Sequence, residues 1–242
     1  MKKSILVLIA IMFVSLTHAQ WYGKGKKIKG NGNVTTITRT TSDYDGIKCA
    51  GSFDYILVAG EEGKITIEGE ENLLEYIVTE IKDNQLVVKT QKKINLQTSK
   101  NNTIKITIPF KDINHVSLAG SGDLYNKDTI SASDLSVALA GSGDLILDVA
   151  TSNVKGSIAG SGDLTLKGKT ENLEAKVAGS GDFHGFNLES NNTTVSVAGS
   201  GDAEVVSRKS LKARVAGSGD IEYKGNPEKE DTKVSGSGSI SN

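Results

Sequence analysis

Between Val116 and Ile240 one short phrase recurs seven times, and it constrains the fold more than any other feature. Ala119-Gly120-Ser121-Gly122-Asp123 returns with its first glycine at Gly141, Gly160, Gly179, Gly199 and Gly217. It returns a last time at Gly236, where Ser239 stands in the place of the aspartate. The steps between first glycines are 21, 19, 19, 20, 18 and 19 residues. A fixed period near 20 marks a solenoid, in which each repeat is one turn and buries its apolar face only against its neighbours.

With the first glycine set as position six, position four is Leu118, Leu139, Ile158, Val177, Val197, Val215 and Val234. Position ten is Leu124, Leu145, Leu164, Phe183, Ala203, Ile221 and Ile240. Positions two and twelve are also mostly apolar or small, and polar residues stand between. This is the period of two that belongs to strands, not the 3.6 of helices. The predicted corners are Gly120 and Gly122, Gly141 and Gly143, Gly160 and Gly162, Gly179 and Gly181, Gly199 and Gly201, Gly217 and Gly219, and Gly236 and Gly238. Glycine reaches positive φ without a Cβ clash, and Ser or Asp in the same corner bonds nearby amides. The pattern predicts an all-β, single-domain parallel β-helix with about 20 residues per rung, right-handed by the bias of parallel crossovers.

Residues 20–114 carry a weaker form of the phrase. Ile47-Lys48-Cys49-Ala50-Gly51-Ser52-Phe53 places Ile47 at position two and Cys49 at four, with Tyr55 and Leu57 at ten and twelve. Gly30-Asn31-Gly32-Asn33 reads as the same corner with asparagines. On this basis 20–27 is a cap, 28–114 a run of irregular rungs and 115–242 the regular helix. The total is roughly eleven rungs, a rod on the order of 50 Å long. The rival reading folds Phe53–Thr90 into antiparallel hairpins with turns at Glu61–Gly63 and Asp83–Asn84. Pairing of 47–58 with 28–38 in parallel would favour the first reading; pairing of 53–60 with 64–70 would favour the second.

Residues 1–19 read as a secretory signal peptide: Lys2 and Lys3, an apolar run from Ile5 to Leu16, then Thr17-His18-Ala19. The run is too short for a retained membrane span. Removing Lys2 and Lys3 takes the formal charge from −1 to −3, which gives no electrostatic reason to expect nucleic acid as a partner. A single cysteine, Cys49, excludes an internal disulfide framework.

The chain resembles the bacterial family called putative auto-transporter adhesin, head GIN domain. The likeness rests on Gly30-Asn31-Gly32-Asn33-Val34, Tyr44-Asp45-Gly46-Ile47, Glu71-Asn72-Leu73-Leu74, Lys93-Ile94-Asn95 and the Gly-Ser-Gly-Asp ladder. It implies a secreted β-helical protein of Gram-negative envelopes with an adhesive role, placed in the periplasm, at the cell surface or outside the cell. It brings no catalytic residues. Because the chain ends in Gly-Ser-Ile-Ser-Asn right after its last rung, it is expected to resemble only the passenger of an auto-transporter, without the membrane barrel.

The aspartates Asp123, Asp144, Asp163, Asp182, Asp202 and Asp220 are expected in one outward row. Unit charges ~4.8 Å apart repel by roughly 0.9 kcal/mol in bulk water. Such a row invites calcium, yet calcium wants six to eight oxygens and one Asp plus one Ser per rung falls short. The preferred reading is a structural corner with no metal and no cofactor. The serines of the phrase (Ser121, Ser142, Ser161, Ser180, Ser200, Ser218, Ser237) have no general base at a repeated position. His115 and His184 read as surface residues without metal-ligand spacing, and Cys49 as a small buried hydrophobe. Tyr125 and His184, both at position eleven, are the candidates for stacking on a sugar. A carbohydrate-active enzyme is the least favoured class, since short turns leave nothing to wall a cleft. The expectation is thus an exported, non-catalytic interaction module. Its ligand would be a protein or glycan at the envelope, with no nucleic acid, and its end rungs would support end-to-end self-association.

Overall fold

Strands whose alternate residues are aliphatic bury one side only, and here each strand finds cover in the coil above and the coil below. The computed structural model describes residues 25–100 and 102–242. The predicted signal peptide, and Trp21, Tyr22 and Lys24 of the predicted cap, lie outside the described residues. About 67% of the chain is strand and about 2% helix.

The strands of the first half are β1 (Lys26–Lys29), β2 (Val34–Thr40), β3 (Gly46–Gly51), β4 (Asp54–Ala59) and β5 (Lys64–Glu70). A single helical turn, α1 (Glu71–Leu74), follows, then β6 (Ile77–Lys82), β7 (Gln85–Thr90), β8 (Ile94–Gln97) and β9 (Lys105–Phe110). The regular stack begins with β10 (His115–Gly120) and β11 (Leu124–Asn126). It continues through the long strands β12 (Ile130–Gly141), β13 (Leu145–Gly160) and β14 (Leu164–Gly179), then β15 (Phe183–His184) and β16 (Leu188–Gly199). Each coil has a first face ending at the glycine corner, a second face beginning at position ten, and a third face leading back.

Pairing in the stack is parallel and in the predicted register. Leu139 pairs with Ile158 and Ile158 with Val177, and the first glycines pair in unbroken succession from Gly51 and Gly120 to Gly236. The aliphatic columns are buried: Leu118, Leu139, Ile158, Val177, Val197 and Val215 are each at most 3% exposed. Where a ring enters the core the opposite column shrinks. A Cβ on Gly156 would lie 3.1 Å from Leu164 and 3.2 Å from the ring of Phe183. The regular stack makes about seven turns of about 19 residues.

The eleven-rung expectation is corrected in the first half, because chain order and stack order part there. β3 lies between β7 and β10, and β4 between β9 and β11, all in parallel. The coil formed by 85–110 therefore sits beneath the coil formed by 46–59, which came before it in the chain. β6 pairs antiparallel with β7, β5 antiparallel with β9, and β2 antiparallel with β5. Of the segment expected to pair with 47–58, residues from Val34 onward meet 64–70 in antiparallel, while Ile28 and Lys29, in β1, pair in parallel with β8. Of the two predicted hairpins, the Asp83–Asn84 turn joins a true antiparallel pair, both residues at positive φ (52° and 56°). The turn at Glu61–Gly63 does not, since β4 pairs with β9 and β11. The physical reason lies in the corner: between Phe53 and Gly120 no Gly-x-Gly occurs, so the glycine-on-glycine stacking has nothing to repeat on. No helix among the described residues is long and apolar enough to cross a membrane.

Candidate functional site

The repeated corner is the most regular chemical feature of the molecule. Each first glycine sits at φ between 134° and 139°, from Gly120 to Gly236. The second glycine is required for a different reason. A Cβ on Gly181 would lie 2.1 Å from the carbonyl oxygen of Gly162 one coil below. Positive φ alone therefore does not explain the pair; the second position is small because backbone stacks directly on backbone. One carbonyl oxygen takes two donors at this point: the N–H groups of Ser180 and Gly181 donate to the oxygen of Gly160 at 2.9 and 3.1 Å. The same bond pair recurs at every coil, so the backbone N–H of each serine in the column is committed to the coil beneath.

The aspartates stand in the predicted row, and each carboxylate has a partner in the next coil. The Asp144 N–H donates to Oδ1 of Asp123 at 3.0 Å, that of Asp182 to Asp163 at 2.9 Å, and that of Asp202 to Asp182 at 2.7 Å. Asp220 Oδ1 accepts both the N–H and the hydroxyl of Ser239, at 2.6 and 2.9 Å. The bonds run from coil to coil, where the sequence argument had the side chain closing its own turn. A second polar ladder went unnoticed in the sequence. At the third face Asn153 donates to Asp134, Asn172 to Asn153 and Asn192 to Asn172, at 2.7–2.9 Å. Its signal was present as polar residues at 134, 153, 172 and 192, spaced by the same period.

Cys49 pairs with Leu118 in the inward column and is 2% exposed; burial pushes its thiol well above the ordinary range, which disfavours the reactive thiolate. His115 is half-buried where β10 meets β3, and burial, then the charge of Lys48, lowers its pKa. His184 is not isolated. It lies in register with Glu204, Nδ1 3.3 Å from Oε2, and close to Asp163 and Asp182. The sequence carried the hint, because Asp182 and His184 flank the inward Phe183 in extended chain and so share a side.

The outward column of the second face changes character along the rod. Ile56, Tyr125 and Ile146 stand in register, followed by Thr165, His184, Glu204 and Glu222. Tyr125 is 38% and Ile146 44% exposed. With Asp54, Asp123, Asp144 and Lys105 they line a shallow hollow, an apolar strip with carboxylates along one border.

At the opposite end two of the motifs that carried the family resemblance meet beside one buried carboxylate. Glu70 accepts the N–H of Gly32 at 2.6 Å and of Ser99 at 2.8 Å. Asn72 accepts from the Asn31 N–H at 2.9 Å and donates to the Lys29 carbonyl at 2.7 Å. Burial pushes the Glu70 carboxyl up, but the bonds from Ser99 and Gly32 outweigh it and leave its pKa lowered. The Gly-Asn-Gly-Asn and Glu-Asn-Leu-Leu segments are thus two halves of one bonded cluster.

Stacked parallel coils joined by glycine corners, closed at one end by antiparallel strands, define a β-solenoid domain. The profile of the family described as putative auto-transporter adhesin, head GIN domain, matches residues 43–227, and the chain belongs to that family. A crystal structure of a putative adhesin from Bacteroides fragilis is similar, with 25% identity and a TM-score of 0.79 over 89% of this chain and 99% of that one. A putative lipid binding protein from Parabacteroides distasonis has 28% identity and a TM-score of 0.74 over the same shares. A putative adhesin from the same organism shares the fold at 23% identity and a TM-score of 0.71, again over 89% and 99%. No functionally curated protein matches the chain.

Proposed function

We propose that the protein is an exported, non-catalytic module that attaches to a ligand at the bacterial envelope through the outer side of its stacked coils. The observation that carries this reading is the exposed strip of Tyr125 and Ile146 beside Ile56, bordered by Asp123 and Asp144. An aromatic ring with adjoining carboxylates suits a sugar, whose CH face stacks and whose hydroxyls donate. Membership of an adhesin family supports the same direction. The non-catalytic part rests on chemistry already committed. The corner carboxylates hold backbone N–H groups, and the corner serines repeat without a neighbouring base.

Two measurements test the proposal. Fractionation of cells, with N-terminal sequencing of the product, is expected to find a chain beginning near Gln20 outside the cytoplasm; a cytoplasmic product retaining Met1 overturns export. A glycan array probed with the purified chain is expected to give signals that the double variant Tyr125→Ala, Ile146→Ser abolishes while its melting temperature stays close to the parent's. Signals unchanged in that variant overturn the strip as the attachment surface.

A further inference from the structure

At one coil of the second face the outward position beside the aspartate row is a histidine. Phe183 turns inward and is 1% exposed, so its neighbours Asp182 and His184 both face outward. Asp163 occupies the corner one coil below. Asp163 and Asp182 are half-buried, whereas Asp123, Asp144, Asp202 and Asp220 are exposed. One ligand-capable atom from each of Asp163, Asp182 and His184 lies within 4.8 Å of the others, and among the described residues no other group of this kind comes together. At the equivalent outward positions the neighbouring coils carry Ile146, Thr165, Glu204 and Glu222, so this is the one coil where an imidazole meets the carboxylate row.

We propose that Asp163, Asp182 and His184 form a binding site for a single transition-metal dication of the zinc type, with Glu204 orienting the imidazole. The donor set decides the metal. Imidazole nitrogen with two carboxylates suits zinc, copper or nickel, whereas calcium and magnesium seek oxygen ligands, calcium six to eight of them. Three protein ligands leave a fourth tetrahedral position for water. The carboxylates are already aimed. Asp163 Oδ1 accepts the Asp182 N–H and Asp182 Oδ1 accepts the Asp202 N–H, which fixes each group and leaves the second oxygen without a donor among the described residues. Glu204 Oε2, 3.3 Å from His184 Nδ1, supplies the carboxylate–histidine contact that fixes ring orientation in metal sites. His184 and Glu204 project from paired strands, and Asp163 and Asp182 stand in the stacked corners that lead directly into those strands. The site is separate from the Tyr125 strip and does not depend on it.

The test is titration calorimetry of the metal-free protein with zinc, calcium and magnesium chlorides, paired with melting curves. The expected result is one zinc per chain and a raised melting temperature, with calcium and magnesium giving neither. Cobalt in place of zinc is expected to give the visible absorption of a tetrahedral site. His184→Gln removes a half-buried surface ring and keeps a polar group beside Glu204, so the metal-free melting temperature is expected to stay close to the parent's. Its zinc affinity should fall by more than the ~10–100-fold expected of Glu204→Gln, which removes only the outer partner. The proposal is overturned by a parent protein that takes up no zinc, by His184→Gln titrating like the parent, or by calcium saturating the protein as tightly as zinc, which would assign binding to the carboxylate row alone.

Discussion

The coils from β10 onward and the strands before it are made of similar residues, yet only the former stack in the order in which they are synthesised. The difference can be followed to one position. In the regular coils the residue two after the first glycine is again glycine, because the carbonyl of the coil beneath occupies the space of a Cβ. In the phrase at Gly51 that position is Phe53, which is 3% exposed. The nearest atoms to a Cβ on Gly51 would be those of the Phe53 ring, at 3.2–3.6 Å, with no backbone closer. Gly51 is therefore the foot of the glycine ladder. Among the described residues no residue pairs beneath its corner, and the Phe53 ring lies where a Cβ would point. Below that level the chain abandons the corner, turns back on itself, and closes the tube with antiparallel strands. A strict period yields parallel stacking only where each turn can accept its copy from below.

The sharpest way to break this comparison is to add a methyl group in each region. Gly179→Ala places a Cβ 2.2 Å from the Gly160 carbonyl at φ 135°, and a loss on the order of 3–5 kcal/mol is expected, from backbone strain and overlap together. Gly51→Ala shares the strained φ (126°), but its nearest neighbour is an aromatic edge at 3.2 Å rather than a carbonyl at 2.2 Å, so about 1–3 kcal/mol is expected. Urea unfolding of both variants measures the gap; equal losses would mean that carbonyl stacking does not set the requirement for glycine.

A smaller effect separates the middle of the stack from its last coil. Val177→Ala removes two methyl groups from a site 2% exposed, with an expected cost of about 2 kcal/mol. Val234→Ala, in the same column but 41% exposed, should change stability by less than about 0.5 kcal/mol. Similar losses at both sites would show that the last coil is covered in solution, as end-to-end association would produce.

The regular half was legible because its information is local and repeated: the period gives the rise, and the alternation gives the inward columns, with Leu139, Ile158 and Val177 as the clearest case. The first half was not, because strand identity and partner are separate questions. Ile47, Cys49, Tyr55 and Leu57 read correctly as inward residues, and each is buried. Which strand lay beside which depended on long-range contacts, β3 with β7 and β4 with β9, that no spacing announces. The corner row of aspartates could be placed, but not the direction of its bonds. The neighbourhood of His184 was missed because each histidine was weighed alone rather than against the column one coil below.

The cap offers the next prediction. Glu70→Gln keeps one acceptor oxygen but loses the charge that Gly32 and Ser99 address, and about 1–2 kcal/mol is expected to go. The sign of its pH dependence follows from the lowered pKa. The contribution is present above the unfolded glutamate value of about 4.3 and is lost as pH falls through the lower folded value. Glu70→Gln should therefore unfold with a shallower acid limb than the parent. In the regular half, Asp202→Ala, which strips the acceptor from the Asp220 N–H, should cost about 0.5–1 kcal/mol. Asp202→Asn retains an acceptor and should be close to neutral. A stabilising Asp202→Ala would mean that repulsion along the row outweighs the bonds.

The smallest effect lies at the seam between the two regions, where His115 on β10 faces β3. Burial first, and Lys48 second, hold its pKa below the usual 6.5, so the folded chain resists a proton that the unfolded chain accepts. For a depressed histidine the unfolded state binds more protons, and stability rises with pH through that window. Acidification from just above pH 6.5 downward should then lower the melting temperature, with the decline continuing until the folded imidazole is itself protonated. His115→Gln should remove that part of the slope and leave the Glu70 limb at lower pH in place. Lys48→Gln should leave most of it, because desolvation is the larger cause. A slope abolished by Lys48→Gln would reverse that ranking and make the seam electrostatic rather than buried.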